Sequence, residues 1–117
     1  MNMEVNGKDI RVELMDNSSA EAVKELLRKS PVTIPMKDYA HMEKFGSFGM
    51  QLPRNDEYTT AEAGDVMLSE GNLLVIYYAP NTWKFTRLGK VQGLLGEELK
   101  KVLGKGSITA TLSLADE

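Results

Sequence analysis

The chain has 117 residues, a net charge of -3, 42% hydrophobic and 26% charged residues, and no cysteine. That length suits one domain, residues 1–117, around one core, and the balance excludes wholesale disorder. The negative charge, with Lys and Arg spread out or paired with acids, excludes a phosphate-backbone footprint, and the missing cysteine excludes disulfides, a thiol nucleophile and a thiolate zinc site.

Met1 to Val5 alternates apolar and polar, Asn6-Gly7 is the strongest two-residue hairpin signal, and Lys8 to Leu14 alternates again with Ile10, Val12 and Leu14 inward. Asp16-Asn17-Ser18-Ser19 opens a helix, with Ser18 and Glu21 spaced as a capping box. Ala20, Val23, Leu26 and Leu27 form its apolar stripe, and Ser30-Pro31 stops it. Val32, Ile34 and Met36 form a strand that Pro35 places at an edge or a bulge. Lys37 to Ala63 has no clear period, although a short strand around Gly49-Met50-Gln51-Leu52 fits. A stretch this long without periodicity is functional or mobile.

The centre of the chain is more regular. Gly64 to Leu68 reads as a strand, Ser69 to Asn72 as a turn, and Leu73-Leu74-Val75-Ile76-Tyr77-Tyr78 as a strand buried on both sides. Six apolar residues are too few to cross a membrane, which takes roughly 20. Ala79 to Thr82 breaks the pattern as a loop, and Lys84 to Val91 forms a third strand. Gly93 to Leu103 reads as a second helix with Leu95, Leu99, Val102 and Leu103 inward, stopped by Gly104 and Gly106. Ser107 to Leu114 alternates as a closing strand, and Ala115 to Glu117 forms a tail. Two helices with seven or more mostly antiparallel strands predict a mainly β fold. The expected form is a closed antiparallel barrel of about eight strands, capped by the two α-helices. The interior of such a barrel is filled by side chains, so a ligand binds on the outer wall or the loops.

This arrangement resembles the cyclophilin fold. Closer still, it is similar to a small prokaryotic family of cyclophilin-like domains of unassigned function. The motifs that carry the resemblance are Asp16 to Ala22, Asp38-Tyr39 with Glu43-Lys44-Phe45-Gly46, Ala63 to Leu68, and Thr86 to Lys90. Together they cover nearly the whole chain, and their specificity lies in their order. The resemblance implies a peptide-binding groove on the outer wall. It does not extend to the isomerase motifs: the F-H-R segment is missing, and Phe48-Gly49-Met50-Gln51 is the only echo of the F-M-x-Q-G-G-D segment. The nearest arginines, Arg54 and Arg87, stand outside those motifs. Without the polar contact that favours the twisted peptide, the barrier of about 18–20 kcal/mol stays high.

His41, the single histidine, lies in a polar loop between Asp38 and Glu43 and reads as a surface residue. Glu43-Lys44 and Asp56-Glu57 read as solvated charge pairs. No metal-ligand spacing, phosphate loop, dinucleotide fingerprint or hydrolase elbow is present, and no cofactor is expected. The candidate ligand-binding residues are Tyr39, Phe48, Met50, Gln51, Arg54, Tyr58 and Trp83, with Gln51 and Arg54 as polar handles. The competing reading has Phe45 and Phe48 plugging the barrel wall and Trp83 covering an edge, since aromatic residues serve both ends. The expected function is therefore a non-catalytic binding domain for a small apolar or peptide-like ligand. An atypical prolyl isomerase and an accessory subunit with a protein partner are the alternatives. The chain is expected to be cytoplasmic and a monomer or weak dimer, without nucleic-acid or membrane partners; no signal peptide stands at its start.

Overall fold

The computed structural model describes residues 1–94 and 96–114; the expectations for Leu95 and for the tail 115–117 fall outside them. The elements run β1 (Asn2–Val5), β2 (Lys8–Leu14), α1 (Ser18–Lys29), β3 (Val32–Tyr39), β4 (Glu43–Ser47), β5 (Glu57–Ala61), β6 (Asp65–Ser69), β7 (Leu73–Tyr77), β8 (Asn81–Gln92), α2 (Gly96–Leu103) and β9 (Ile108–Ser113). Strands pair in the order β2-β1-β9-β3-β4-β7-β6-β8, and β8 pairs back to β2, which closes a ring of eight strands. Every ladder described is antiparallel. This is the mainly β, closed architecture that the pattern of alternation predicts.

The interior is filled by the inward residues of the ring, among them Met3, Ile10, Ile34, Met36, Leu68, Leu74, Ile76 and Leu112. Both helices bury their stripes into the same core, α1 through Val23 and Leu27, α2 through Leu99 and Leu103. No helix among the described residues is long and apolar enough to cross a membrane.

β5 lies outside the ring and pairs only with the first half of β8. Ala61 pairs with Asn81, whereas Asp65, four residues on, pairs with Lys90, nine residues on. Four residues reach at most about 14 Å and nine extended residues span about 30 Å. β8 must therefore curl sharply between its halves. The irregularity that permits this is visible: Val66 pairs with Gly89 and Met67 with Arg87, so the ladder skips Leu88. The result is a two-stranded flap, β5 with Asn81–Phe85, folded over the outer wall. Beneath it lies a second apolar cluster of Ala61, Met67, Val75, Tyr77 and Phe85. Strand β7 is thus buried on both faces, as its unbroken apolar run predicts: Leu74 and Ile76 enter the barrel, Val75 and Tyr77 meet the flap.

Several local expectations need correction. Asn17, not Ser18, caps α1: its Oδ1 accepts from the Ala20 amide at 2.8 Å, while Ser18 Oγ receives the Asn55 side chain. No strand forms at 49–52; the stretch read as irregular instead holds the end of β3 and all of β4 and β5. Asn81 and Thr82, read as loop, are the start of β8, held extended by pairing with β5. Pro35 sits in a ring strand, just before β3 begins pairing with β4 at Lys37. The left-handed Gly104 does stop α2, with its amide bonded to the Lys100 carbonyl at 3.0 Å.

Candidate functional site

Strand alternation divides the segment 38–45 between two faces of one wall. Asp38 and Lys44 point into the barrel mouth; Tyr39, Glu43 and Phe45 point out toward the flap. The outer side is a groove of about 450 Å³ between the β4–β7 wall, the flap and the β6–β7 turn. That volume suits a small ligand. Its walls carry Tyr39, Phe45, Tyr77, Phe85 and Trp83, together with Met42, Leu73 and Val75. Tyr39 meets Phe45 edge-to-face, with ring centroids 6.3 Å apart, and Tyr77 is tilted against Phe85 at 5.7 Å.

The polar groups of the groove are few. Glu43 is opposite Tyr77 in the β4–β7 register and is only 8% exposed. The Tyr77 hydroxyl stands beside its carboxylate across the strand pair and accepts from Asn81 Nδ2 at 3.2 Å. Burial pushes the Glu43 carboxyl above its usual range; the Tyr77 hydroxyl opposes this and the charge of Asp38 across the wall adds to it. Burial also pushes the Tyr77 hydroxyl up to about 12, against the Asn81 bond and with the help of the Glu43 charge. Glu70, exposed at the β6–β7 turn, is the second acid. No Lys, Arg or His is among the described residues that line the groove.

On the inner side, Lys44 is completely buried. Its Nζ lies 3.1 Å from Asp38 Oδ1, donates to the Gly106 carbonyl at 2.7 Å, and sits 5.6 Å from the Tyr78 ring centroid. The Tyr78 hydroxyl donates to the same Asp38 oxygen. Burial pushes Asp38 up, but the bonds from Tyr78 and Lys44 and the Lys44 charge outweigh it and hold the carboxyl below its usual value. Burial, reinforced by Asp38, pushes the Tyr78 hydroxyl up. A cavity of about 660 Å³ opens beside this cluster, rimmed by Lys100, Lys101 and Lys105 against Glu97 and Asp38. The reading of Glu43-Lys44 as a solvated pair is therefore corrected: both are buried, on opposite faces. The clue lay in the following residues. Phe45 belongs outside and Gly46 inside, where a Cβ would fall 2.4 Å from the Pro35 carbonyl oxygen. Alternation then turns Lys44 inward with Gly46. His41 is a surface residue as expected, 97% exposed at its side chain, with Nδ1 3.7 Å from Asp38 Oδ2.

The residues proposed from sequence are distributed over several places. Tyr39 and Trp83 share the groove. Phe48 is in the barrel core at 8% exposure, beside Leu52. Gln51 and Arg54 pack together over the β6–β7 turn, where a Cβ on Gly71 would fall 2.5 Å from Gln51 Oε1 and 3.1 Å from Arg54 Cδ. Met50 is exposed in the adjoining loop. Tyr58 pairs with Lys84, whereas its neighbour Thr59 pairs with Trp83, so Tyr58 occupies the opposite face of the flap. Tyr77 and Phe85 are not legible as site residues because they lie in strands whose apolar residues read as core; Glu43 reads as a solvated charge and Asn81 as loop. No group of three or more potential metal ligands occurs among the described residues.

A family model described as Cyclophilin-like family matches residues 3–113. The chain belongs to the Cyclophilin-like family. No curated protein and no solved structure matches it. In this cyclophilin-like chain both arginines considered for an isomerase role are engaged elsewhere. Arg54 bonds Asp56 through Nε at 2.8 Å and lies 2.6 Å from it through a terminal nitrogen. Arg87 bonds Asp65 at 3.3 Å, Thr59 Oγ1 at 3.0 Å and the Thr60 carbonyl at 3.2 Å, which ties the flap to β6.

Proposed function

We propose that this cyclophilin-like chain is a binding domain without catalytic activity, taking a small apolar or peptide-like ligand in the groove between the outer wall and the flap. The observation that carries the reading is the groove's lining: five aromatic rings, no basic side chain among the described lining residues, and polar groups gathered at Glu43, Tyr77 and Asn81. Such a lining binds by contact area and a few fixed polar groups. Prolyl isomerisation gains nothing from it, because the cation that would favour a twisted peptide is absent from the groove and Arg54 and Arg87 are held by carboxylates. The test is prolyl cis/trans exchange measured by NMR on a panel of X-Pro peptides, with the amide shifts of the protein recorded in the same samples. Unchanged exchange with shifts at Glu43, Tyr77 and Trp83 is the expected result. Accelerated exchange that is lost on Arg54→Ala or Arg87→Ala would sink the non-catalytic reading.

A further inference from the structure

Charge in the groove is one-sided. Glu43 lies at its base, nearly buried, and Glu70 stands at its rim, with no cation among the described lining residues to neutralise either. A buried carboxylate is normally paired with a cation or fully hydrogen-bonded. Its neighbour across the barrel wall, Lys44, is committed to Asp38 and Gly106 on the other face. What Glu43 has instead is one phenol, its cross-strand partner Tyr77, whose hydroxyl accepts from Asn81. Around it stand Tyr39, Phe45 and Trp83, the first two at right angles to each other. Aromatic rings set at angles around an acid are what an organic cation needs: ring faces attract positive charge through their quadrupole, and the carboxylate supplies the counter-charge. Trp83, 61% exposed on the flap, leaves its indole free to cover such a ligand. An anion, by contrast, would meet two acids and no donor cation.

We infer that the groove is a site for organic cations: an alkylammonium group held beside Glu43 and caged by Tyr39, Phe45 and Trp83, with the remainder of the ligand along the apolar wall. This rests on the groove-binding reading above and adds the chemical class of the ligand. The site discriminates by charge. A quaternary ammonium compound binds, and its neutral carbon isostere of the same shape binds far less.

The probes are choline and 3,3-dimethylbutan-1-ol, which differ in one atom's charge. Each is titrated into the full chain, following the fluorescence of Trp83, the single tryptophan, and the backbone amide shifts. Choline is expected to give saturable shifts at Glu43, Tyr77 and Trp83, with the alcohol weaker by about tenfold or more. Glu43→Gln is expected to remove most of the preference for choline over the alcohol and to leave binding of the alcohol unchanged. Trp83→Leu, a substitution at an exposed position, is expected to weaken choline binding without unfolding the protein, and it serves if Glu43→Gln fails to fold. Equal binding of the two probes would overturn the cation site while leaving an apolar groove. If neither probe moves the groove amides, the cation site is overturned; shifts there with X-Pro peptides would then keep the groove reading, and no shifts with any of them would remove both.

Discussion

Glu43 and Lys44 are adjacent in sequence and opposite in effect. Lys44 has what a buried cation needs: a carboxylate at 3.1 Å, a carbonyl at 2.7 Å and an aromatic ring. Removing it strands the mostly buried Asp38, so Lys44→Met is expected to destabilise by about 3 kcal/mol or more. Glu43 is less well matched, and burial keeps its carboxyl above the usual 4.5. A carboxyl raised on folding contributes stability that is full below its unfolded value and lost as pH rises through the folded one. Asp38 runs the other way. Held below 3.8, it contributes stability that is present above that value and lost as pH falls through its folded value. Thermal midpoints measured from about pH 3 to pH 8 check both residues. Glu43→Gln should raise the midpoint at neutral pH and lose that advantage toward pH 4, whereas Lys44→Met should lower it most at neutral pH and least below pH 4. A Glu43→Gln variant less stable than the parent at pH 7 would mean that the carboxylate is better paired than its surroundings indicate. Neither role is evident from two adjacent charges read alone, because a charge pair in a polar stretch is most often solvated and the strand that orients it carries little apolar signal of its own.

At the scale of elements, turns decided what was legible. Asn6-Gly7 joins β1 to β2 with φ of +53° and +76°, values that Asn and Gly adopt readily, and the hairpin can be read directly from those two letters. The β3–β4 turn uses the same left-handed region at Ala40 and His41, with φ of +53° and +54°, closed by the Met42 amide on the Tyr39 carbonyl at 3.1 Å. Nothing in Ala-His announces such a turn, so the hairpin that carries Asp38, Glu43 and Lys44 was hidden within a stretch without period. Residues with a Cβ are strained there. Replacing the pair, Ala40→Asn with His41→Gly, is expected to stabilise the fold by about 1 kcal/mol in chemical denaturation, with the groove unaltered. A loss of stability would show that the His41 contact with Asp38 outweighs the strain. The β6–β7 turn, with Glu70 at +54° and Gly71 at +77°, needed no such inference because Gly71 marks it.

For the molecule as a whole, the ring and the flap have different holding forces. Each ring strand is paired on both edges, whereas β5 pairs on one edge and buries only Ala61 fully. Hydrogen exchange should reveal this: amides of β5 and of Asn81–Phe85 are expected to exchange on the order of a hundredfold faster than those of β7 and β9. Equal protection would mean that flap and ring open as one unit. Most of the ring was legible, because strands such as those from Met1 to Leu14 and from Ile108 to Leu112 alternate cleanly, whereas β4 carries no such pattern. The flap was not, because Glu57 to Ala61 has no apolar alternation and its partner, Asn81 to Trp83, has loop-like composition. The same architecture has a consequence for how the protein would misassemble. Among the described strands, those of the closed ring present no unpaired edge to another molecule, so templated strand addition is expected to begin at the flap. Three features oppose it there: Glu57 places a charge on β5, that strand is only five residues long, and the Arg87 guanidinium occupies the Thr60 carbonyl. Arg87 is thus expected to act as a gatekeeper against aggregation at the free edge of β5.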